Sequence, residues 1–311
     1  MQFDIFRVSK QKISISVVVP SYNHKKYIGE AIDSLLNQSK VPNEIIVIDD
    51  GSSDGSFDYL KQRYSDNERI ILWAQKNRGA HNTINAGIQR ATSEWIAVLN
   101  SDDIYDCNRL EQVEKFISKN ETTDFIFTGV SFIDKSGKTI KNRWYEDAMC
   151  FRSKSSSLAL SLINANFSMT TSNFIFRRKL FDEIGGFKAY RYAHDLDFIL
   201  TAIAIGARVD FFEMPLLKYR FHDTNTISEG VLKVKFELCD IISRFLILIK
   251  DINPGILNEH FYNELFTVLD KHGYSRLLFA FMLERRRNYP ALTSQVKFSN
   301  DFINVIDRVL R

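Results

Sequence analysis

Short, nearly unbroken apolar runs alternate with stretches whose apolar residues recur every three or four positions through the first hundred residues. The first pattern suits a strand buried on both faces, and the second suits a helix with one apolar side. Ile13 to Pro20 (ISISVVVP) is the first strand, and Lys26 to Gln38 then sets Ile28, Ile32, Leu35 and Leu36 on one helical face. Glu44 to Asp49, Ile70 to Trp73 and Trp95 to Leu99 are further strands, with helices expected at Phe57 to Tyr64 and His81 to Arg90. Such a βαβαβαβ series is satisfied by a parallel sheet with right-handed crossovers.

Beyond residue 104 the elements become mixed. A helix is expected at Arg109 to Ser118, a strand at Asp124 to Thr128, and irregular chain from Asp134 to about Ser155. The β-rich segment Thr171 to Phe176, a helix at Leu196 to Ile205, and paired strands at Arg208 to Phe212 and Leu216 to Phe221 follow. The fold class is therefore α/β, a mainly parallel Rossmann-like sheet flanked by helices and extended by antiparallel strands. From Glu229 onward the pattern is helical: Leu238, Ile241, Ile242, Phe245 and Ile249 repeat at helical spacing, as do Phe261, Leu265, Val268 and Leu269. The division expected is 1–228 as the main domain, with halves at about 13–104 and 105–228, and 229–311 as a helical appendix.

With 311 residues, 45% hydrophobic and 25% charged, the chain can bury a large core. The longest apolar runs fall far short of the roughly 18 to 20 residues that cross a bilayer. The N-terminus lacks the apolar stretch of a secretory signal, so a cytoplasmic protein is expected. Three widely spaced cysteines suggest neither a disulfide framework nor a zinc cluster. A net charge of +3 is too small to single out nucleic acid as a partner. Leu277 to Leu283 runs into Glu284-Arg285-Arg286-Arg287, which makes the tail a candidate for peripheral contact with anionic lipid.

Ligands of open parallel sheets bind at the carboxyl ends of the strands. Three of these ends are polar: Pro20-Ser21-Tyr22-Asn23, Asp49-Asp50-Gly51-Ser52-Ser53-Asp54 and Asn100-Ser101-Asp102-Asp103. Each of the acidic clusters alone reads as a turn with a helix cap. Two carboxylate pairs along one sheet edge instead repel each other and call for a cation, which points to a divalent metal. Neither a G-x-G-x-x-G fingerprint nor a P-loop is present, so a dinucleotide cofactor is not indicated.

The ordered motifs VVVPSYNHKKYIGEAIDSLLNQS, IIVIDDGSSDGS, NRGAHNTINAGI and WIAVLNSDDIY resemble the nucleotide-binding half of the inverting glycosyltransferases of family 2, which have the GT-A fold. The likeness continues through SNFIFRRKLFDEIGGF and AHDLDFIL to YRFHDTNTIS, covering about residues 13 to 228. It implies that a sugar moves from a nucleoside diphosphate donor, UDP being the base-bearing half expected, to a hydroxyl of a glycan or lipid-linked acceptor. The setting implied is bacterial surface polysaccharide synthesis at the inner face of the membrane.

Carried over by position, the resemblance makes Pro20 and Tyr22 the frame of the base and Asp50 its hydrogen-bond acceptor. Arg78 approaches the nucleotide and Asp102 the ribose or donor sugar. Asp103 coordinates Mn2+ or Mg2+, with His222 able to complete the ligand set, and Asp195 is the catalytic base. Asp197 is the competing carboxylate. Two departures from the family pattern stand out: Asn100 replaces the first Asp of the metal motif, and His194 replaces the Glu before the base. At a helix start the dipole favours an ionised Asp195. A nucleotidyltransferase and a non-catalytic sugar-nucleotide binding module are the other readings; the first usually needs a Gly-rich loop where this chain has SYNHKKY, and the second has no need of a base.

Overall fold

A computed structural model describes residues 13–222 and 231–287. One nine-stranded sheet runs through it, in the order β3-β2-β1-β4-β8-β6-β9-β5, with β7 paired to β6. The parallel half comprises β1 (Ile15–Ser21), β2 (Glu44–Asp49), β3 (Ile70–Ala74) and β4 (Trp95–Val98). Helices α1 (Ile28–Leu36), α2 (Ser56–Tyr64) and α3 (Ala80–Arg90) make the crossovers. β1, β2 and β4 bury nearly every residue, which explains their unbroken apolar sequence. Helix α3 lies so close to the sheet that a Cβ at Gly87 would collide with Val18.

The second half holds β5 (Ile104–Tyr105), α4 (Arg109–Lys119), β6 (Phe125–Ile133), β7 (Thr139–Ile140), α5 (Arg143–Arg152), α6 (Leu158–Asn164) and β8 (Ile175–Arg177). It continues through α7 (Arg178–Ile184), α8 (His194–Ala204) and β9 (Val209–Arg220). β8 joins β4 and β6 antiparallel and so turns the sheet from its parallel half into the mixed one.

Two expectations change here. The paired strands expected at 208–221 are one strand, β9, parallel to β6, because a register shift at Thr128 to Val130 absorbs Pro215 without a turn. Gly129 permits it, since a Cβ there would strike the Glu213 carbonyl. The stretch expected to be irregular contains α5, whose start is capped by the Asn142 side chain accepting from the Tyr145 amide.

The tail forms α9 (Val231–Ile252), α10 (Glu259–His272) and α11 (Ser275–Arg287). Ile241, Ile242, Phe245 and Ile249 of α9 and Phe261, Leu265 and Val268 of α10 belong to the same hydrophobic cluster as the sheet. The expected boundary at 228/229 lies outside the described residues. Arg285 of the basic run turns inward, donating to Asp240 and to Ser243 Oγ (2.8 Å). The side chains of Glu284, Arg286 and Arg287 lie outside the described residues.

Helix α8 is buried almost all round, as its sequence DLDFILTAIA requires. Asp197 on it is buried and pairs with Arg244 of α9 at 2.6 Å. Burial pushes Asp197 above the usual carboxylate range, against the pull of Arg244 and Lys188. Removing one partner of a buried pair strands the other, so Arg244→Ala is expected to cost about 3–5 kcal/mol, read by urea unfolding.

Candidate active site

The parallel register sets the carboxyl ends of β1, β2 and β4 side by side, and hydrogen bonds tie the loops that follow them. Asn23 N donates to Ser52 Oγ (2.8 Å), Ser53 N to Asn23 Oδ1 (2.8 Å) and Lys25 N to Asp54 Oδ2 (2.9 Å). His24 Nδ1 meets Ser101 Oγ at 2.8 Å, joining the first loop to the Asn100–Asp103 turn. Pro20 is half-buried at the end of β1, paired with Ile48, and Tyr22 projects with 49% of its surface exposed.

Asp50 is buried and organises the loop after β3. Its Oδ1 accepts from Gln75 Nε2 (2.8 Å) and Arg78 N (2.9 Å), and its Oδ2 from Gly79 N (2.9 Å). One acceptor position on Oδ2 is left for an incoming group. The Arg78 side chain is exposed beside it. Ser21 Oγ and Asp49 Oδ2 are buried at the same edge with no hydrogen-bond partner among the described residues.

The two aspartates after β4 differ sharply. Asp103 is 1% exposed, and each of its oxygens accepts one hydrogen bond: Oδ2 from Ser172 Oγ (2.5 Å), Oδ1 from the Arg220 amide (3.0 Å). Burial and the neighbouring Asp102 push its carboxyl well above the usual range, against the donors Ser172 and Arg220. Asp103, whose motif position implies a metal ligand, staples the turn to Ser172 and, through Arg220, to β9.

Asp102 fits the role of metal ligand. Its Oδ2 lies 2.8 Å from His222 Nε2, and His24, Asp102 and His222 can each offer one ligand atom, all within 4.8 Å of one another. Burial alone would raise the Asp102 carboxyl, but the His222 hydrogen bond and the His24 charge outweigh it and hold the group below its ordinary range. Tyr27 stacks on His222 at 5.2 Å and fixes the ring. Arg220, buried, donates through Nε to the Asp102 carbonyl (2.8 Å) and through Nη2 to Glu30 (2.6 Å). A carboxylate and two imidazoles form a mixed oxygen and nitrogen donor set able to hold a first-row divalent cation, Mn2+ among them. His24 had no chemical signal of its own; only the contact between the loops after β1 and β4 reveals it.

Asp195 sits in the first turn of α8, 7% exposed, accepting from Asn166 Nδ2 (3.0 Å) and from the Leu196 amide (2.7 Å). Burial raises its pKa to about 6, against those two donors, so the group is still mostly ionised at neutral pH. His194 beside it is held neutral, its pKa lowered to about 4 by burial, and its Nδ1 is buried without a partner.

The segment 166–173 joins the two carboxylate regions, and its sequence gives no hint of this. Asn166 holds Asp195 and accepts from Ser168 Oγ (2.5 Å). Thr170 Oγ1 accepts from Asn100 Nδ2 (2.8 Å), Thr171 Oγ1 donates to Asn100 Oδ1 (3.1 Å), and Ser172 holds Asp103. The Asn100 that departs from the metal motif is therefore an amide that needs both a donor and an acceptor, and it finds them here. Asn173 in turn is gripped by the buried Arg109, whose Nη2 donates to its carbonyl (2.9 Å) and Oδ1 (3.0 Å). Losing the Asn166 hydrogen bond removes support from the ionised carboxylate. The Asn166→Ala variant is expected to move the acid limb of kcat to higher pH, by up to about 1 unit, in a pH–rate profile.

The sequence profile of Glycosyl transferase family 2 matches residues 16–195, more than half of the chain and the stretch that carries the ends of β1, β2, β3 and β4. The chain belongs to this family. Among its relatives, a putative teichuronic acid biosynthesis glycosyltransferase of Bacillus subtilis, TuaG, is 34% identical over 43% of this chain and 56% of its own length. An uncharacterized glycosyltransferase of Methanocaldococcus jannaschii is 30% identical over 71% of this chain and 75% of its own. The crystal structure of S. aureus TarS residues 1–349 in complex with UDP-GlcNAc superposes with a TM-score of 0.65 at 18% identity, covering 96% of this chain and 81% of that one, a likeness of fold. Among the described residues, no helix of this family 2 member is long and apolar enough to cross a membrane.

Proposed function

We propose that the protein is a metal-dependent inverting glycosyltransferase that takes a sugar from a nucleoside diphosphate, UDP in the first instance, and places it on a hydroxyl of a surface glycan or its lipid-linked precursor. One observation carries this reading. A cation-ready trio, His24, Asp102 and His222, occupies the same strand edge as the orphaned Ser21 and Asp49 atoms, and the 166–173 segment links that edge to a carboxylate titrating near neutrality. Family membership and the UDP-GlcNAc held by TarS favour the donor class; the teichuronic acid role given to TuaG favours a cell-surface polysaccharide acceptor.

Asp50, the exposed Arg78 side chain beside it, and Tyr22 would receive the nucleotide, with Pro20 shaping the end of β1. His24, Asp102 and His222 would hold Mn2+ or Mg2+, which when bound offsets the negative charge that gathers on a departing diphosphate. Asp195 then accepts the proton of the acceptor hydroxyl while that oxygen bonds to the anomeric carbon, opposite the breaking carbon–oxygen bond, so the configuration inverts. A pKa of about 6 leaves Asp195 mostly ionised at neutral pH yet basic enough to take the proton. Arg285, tied to Asp240, leaves the exposed Phe266, Phe279 and Leu283 of α10 and α11 to support any peripheral membrane contact.

A thermal-shift panel of UDP-, GDP- and dTDP-sugars with and without Mn2+ tests the donor class. A ligand that binds the folded state raises Tm by mass action, and a rise confined to UDP-sugars with Mn2+ is expected. If none of the nucleotides raised Tm at millimolar concentration, the reading would fall.

A further inference from the structure

The tail helix α9 grips the segment that carries Asp195 from both sides. Glu237 Oε1 accepts from the Arg191 amide and Oε2 from the Tyr192 amide, each at 2.8 Å. One turn on, Asp240 Oδ2 accepts from the Tyr190 hydroxyl at 2.5 Å, and a further turn on, Arg244 pairs with Asp197 at 2.6 Å. Positions 237, 240 and 244 fall on one face of a helix, and their contacts fall on residues 190–197, before and after Asp195. Helix α8 has no cap of its own, since Ala193 at its start offers no side-chain acceptor. Glu237 supplies the missing acceptor from another element: it lies against the amides of Arg191, Tyr192 and Ala193, three successive donors leading into His194-Asp195.

We propose that Glu237 is a positioning residue for the transfer step, its two carboxylate oxygens fixing the turn at 191–193 so that Asp195 faces the acceptor hydroxyl. This rests on the reading of Asp195 as the base. It assigns α9 a part in catalysis although the match to the family profile ends at residue 195. The reason a remote clamp matters is geometric, because a displacement of about 1 Å in a reacting group can cost about 100-fold in rate. Arg244 and Asp240 lie deeper and serve stability as well, whereas Glu237 is only half-buried, so its replacement isolates the clamp.

Glu237→Gln keeps the size of the side chain but turns one acceptor into an amide that faces an N–H. Hydrogen exchange of the full chain, without ligand, is expected to speed up in peptides covering 188–197 and to stay unchanged in β1, β2 and β4. With UDP-GlcNAc and Mn2+, and turnover read as UDP release, kcat is expected to fall tenfold or more with donor KM unchanged. Glu237→Asp, which retains both oxygens, recovers part of the loss and serves as the second variant if Glu237→Gln folds poorly. In an Asp195→Asn background Glu237→Gln is expected to add no further loss, which a merely structural role would not produce. Unchanged exchange at 188–197, or unchanged kcat beside an inactive Asp195→Asn, overturns the positioning role alone. Normal turnover by Asp195→Asn overturns the base beneath it.

Discussion

Asp195→Asn is expected to lower turnover by about 1,000-fold or more while raising thermal stability at neutral pH. The first effect follows from losing the proton acceptor, since general-base catalysis contributes about 100- to 10,000-fold and an amide cannot replace it. The second follows from linkage. The folded chain binds the Asp195 proton more tightly than the unfolded chain, at about 6 against an ordinary 3.8. Stability from this group is therefore fully present below about pH 4 and is lost as pH rises through 6. At pH 7 the buried carboxylate costs about 1–3 kcal/mol, which the neutral amide relieves. The paired measurement is kcat and Tm at pH 7.5 and at pH 4: the gain in Tm should be present at the first and absent at the second. A residue destabilising in the fold and indispensable in turnover is what a base held in a buried helix start should be; an Asn variant less stable than wild type at pH 7.5 would mean that Asp195 is a structural cap.

Asp102→Ala is expected to weaken Mn2+-dependent nucleotide binding by about 100-fold or more. Loss of a partner in the outer shell of a metal site already costs 10- to 100-fold, so loss of a direct ligand costs at least as much. Asp103→Asn provides the contrast, because its oxygen can still accept from the Arg220 amide and its new amide can meet a rotated Ser172 hydroxyl. Its Mn2+ dependence should stay within a few-fold of wild type. Titration calorimetry of UDP with and without Mn2+ separates the two. The opposite ranking would return the metal to Asp103.

The parallel half of the fold was legible because burial on both faces forces unbroken apolar strands, and ISISVVVP and EIIVID are short and rich in β-branched residues. The second half was less so. Pro215 and Gly129 read as breaks, yet here they form a bulge inside a long strand, a distinction that depends on the neighbouring strand and not on local sequence. Among the site residues, Asp50, Asp102 and His222 stood out through their place after strands. The sequence could not apportion duties between Asp102 and Asp103, because adjacent residues point to different sides of the chain and only the partners Ser172, Arg220 and His222 decide which one is occupied. His24 and Asn166 were invisible for a related reason: each matters through one contact across 77 or 29 residues of chain. At Asp195 burial, which the helix start in the sequence does not reveal, is the largest influence on the carboxyl and raises it to about 6.

Crystals grown with UDP and Mn2+, with anomalous data collected at the manganese edge, put the whole arrangement to the test. A single strong peak enclosed by His24, Asp102 and His222 is expected, with the diphosphate on it and the Asp195 carboxylate facing the open sugar side. A peak on Asp103, or a nucleotide bound away from the ends of β1, β2 and β4, would contradict it.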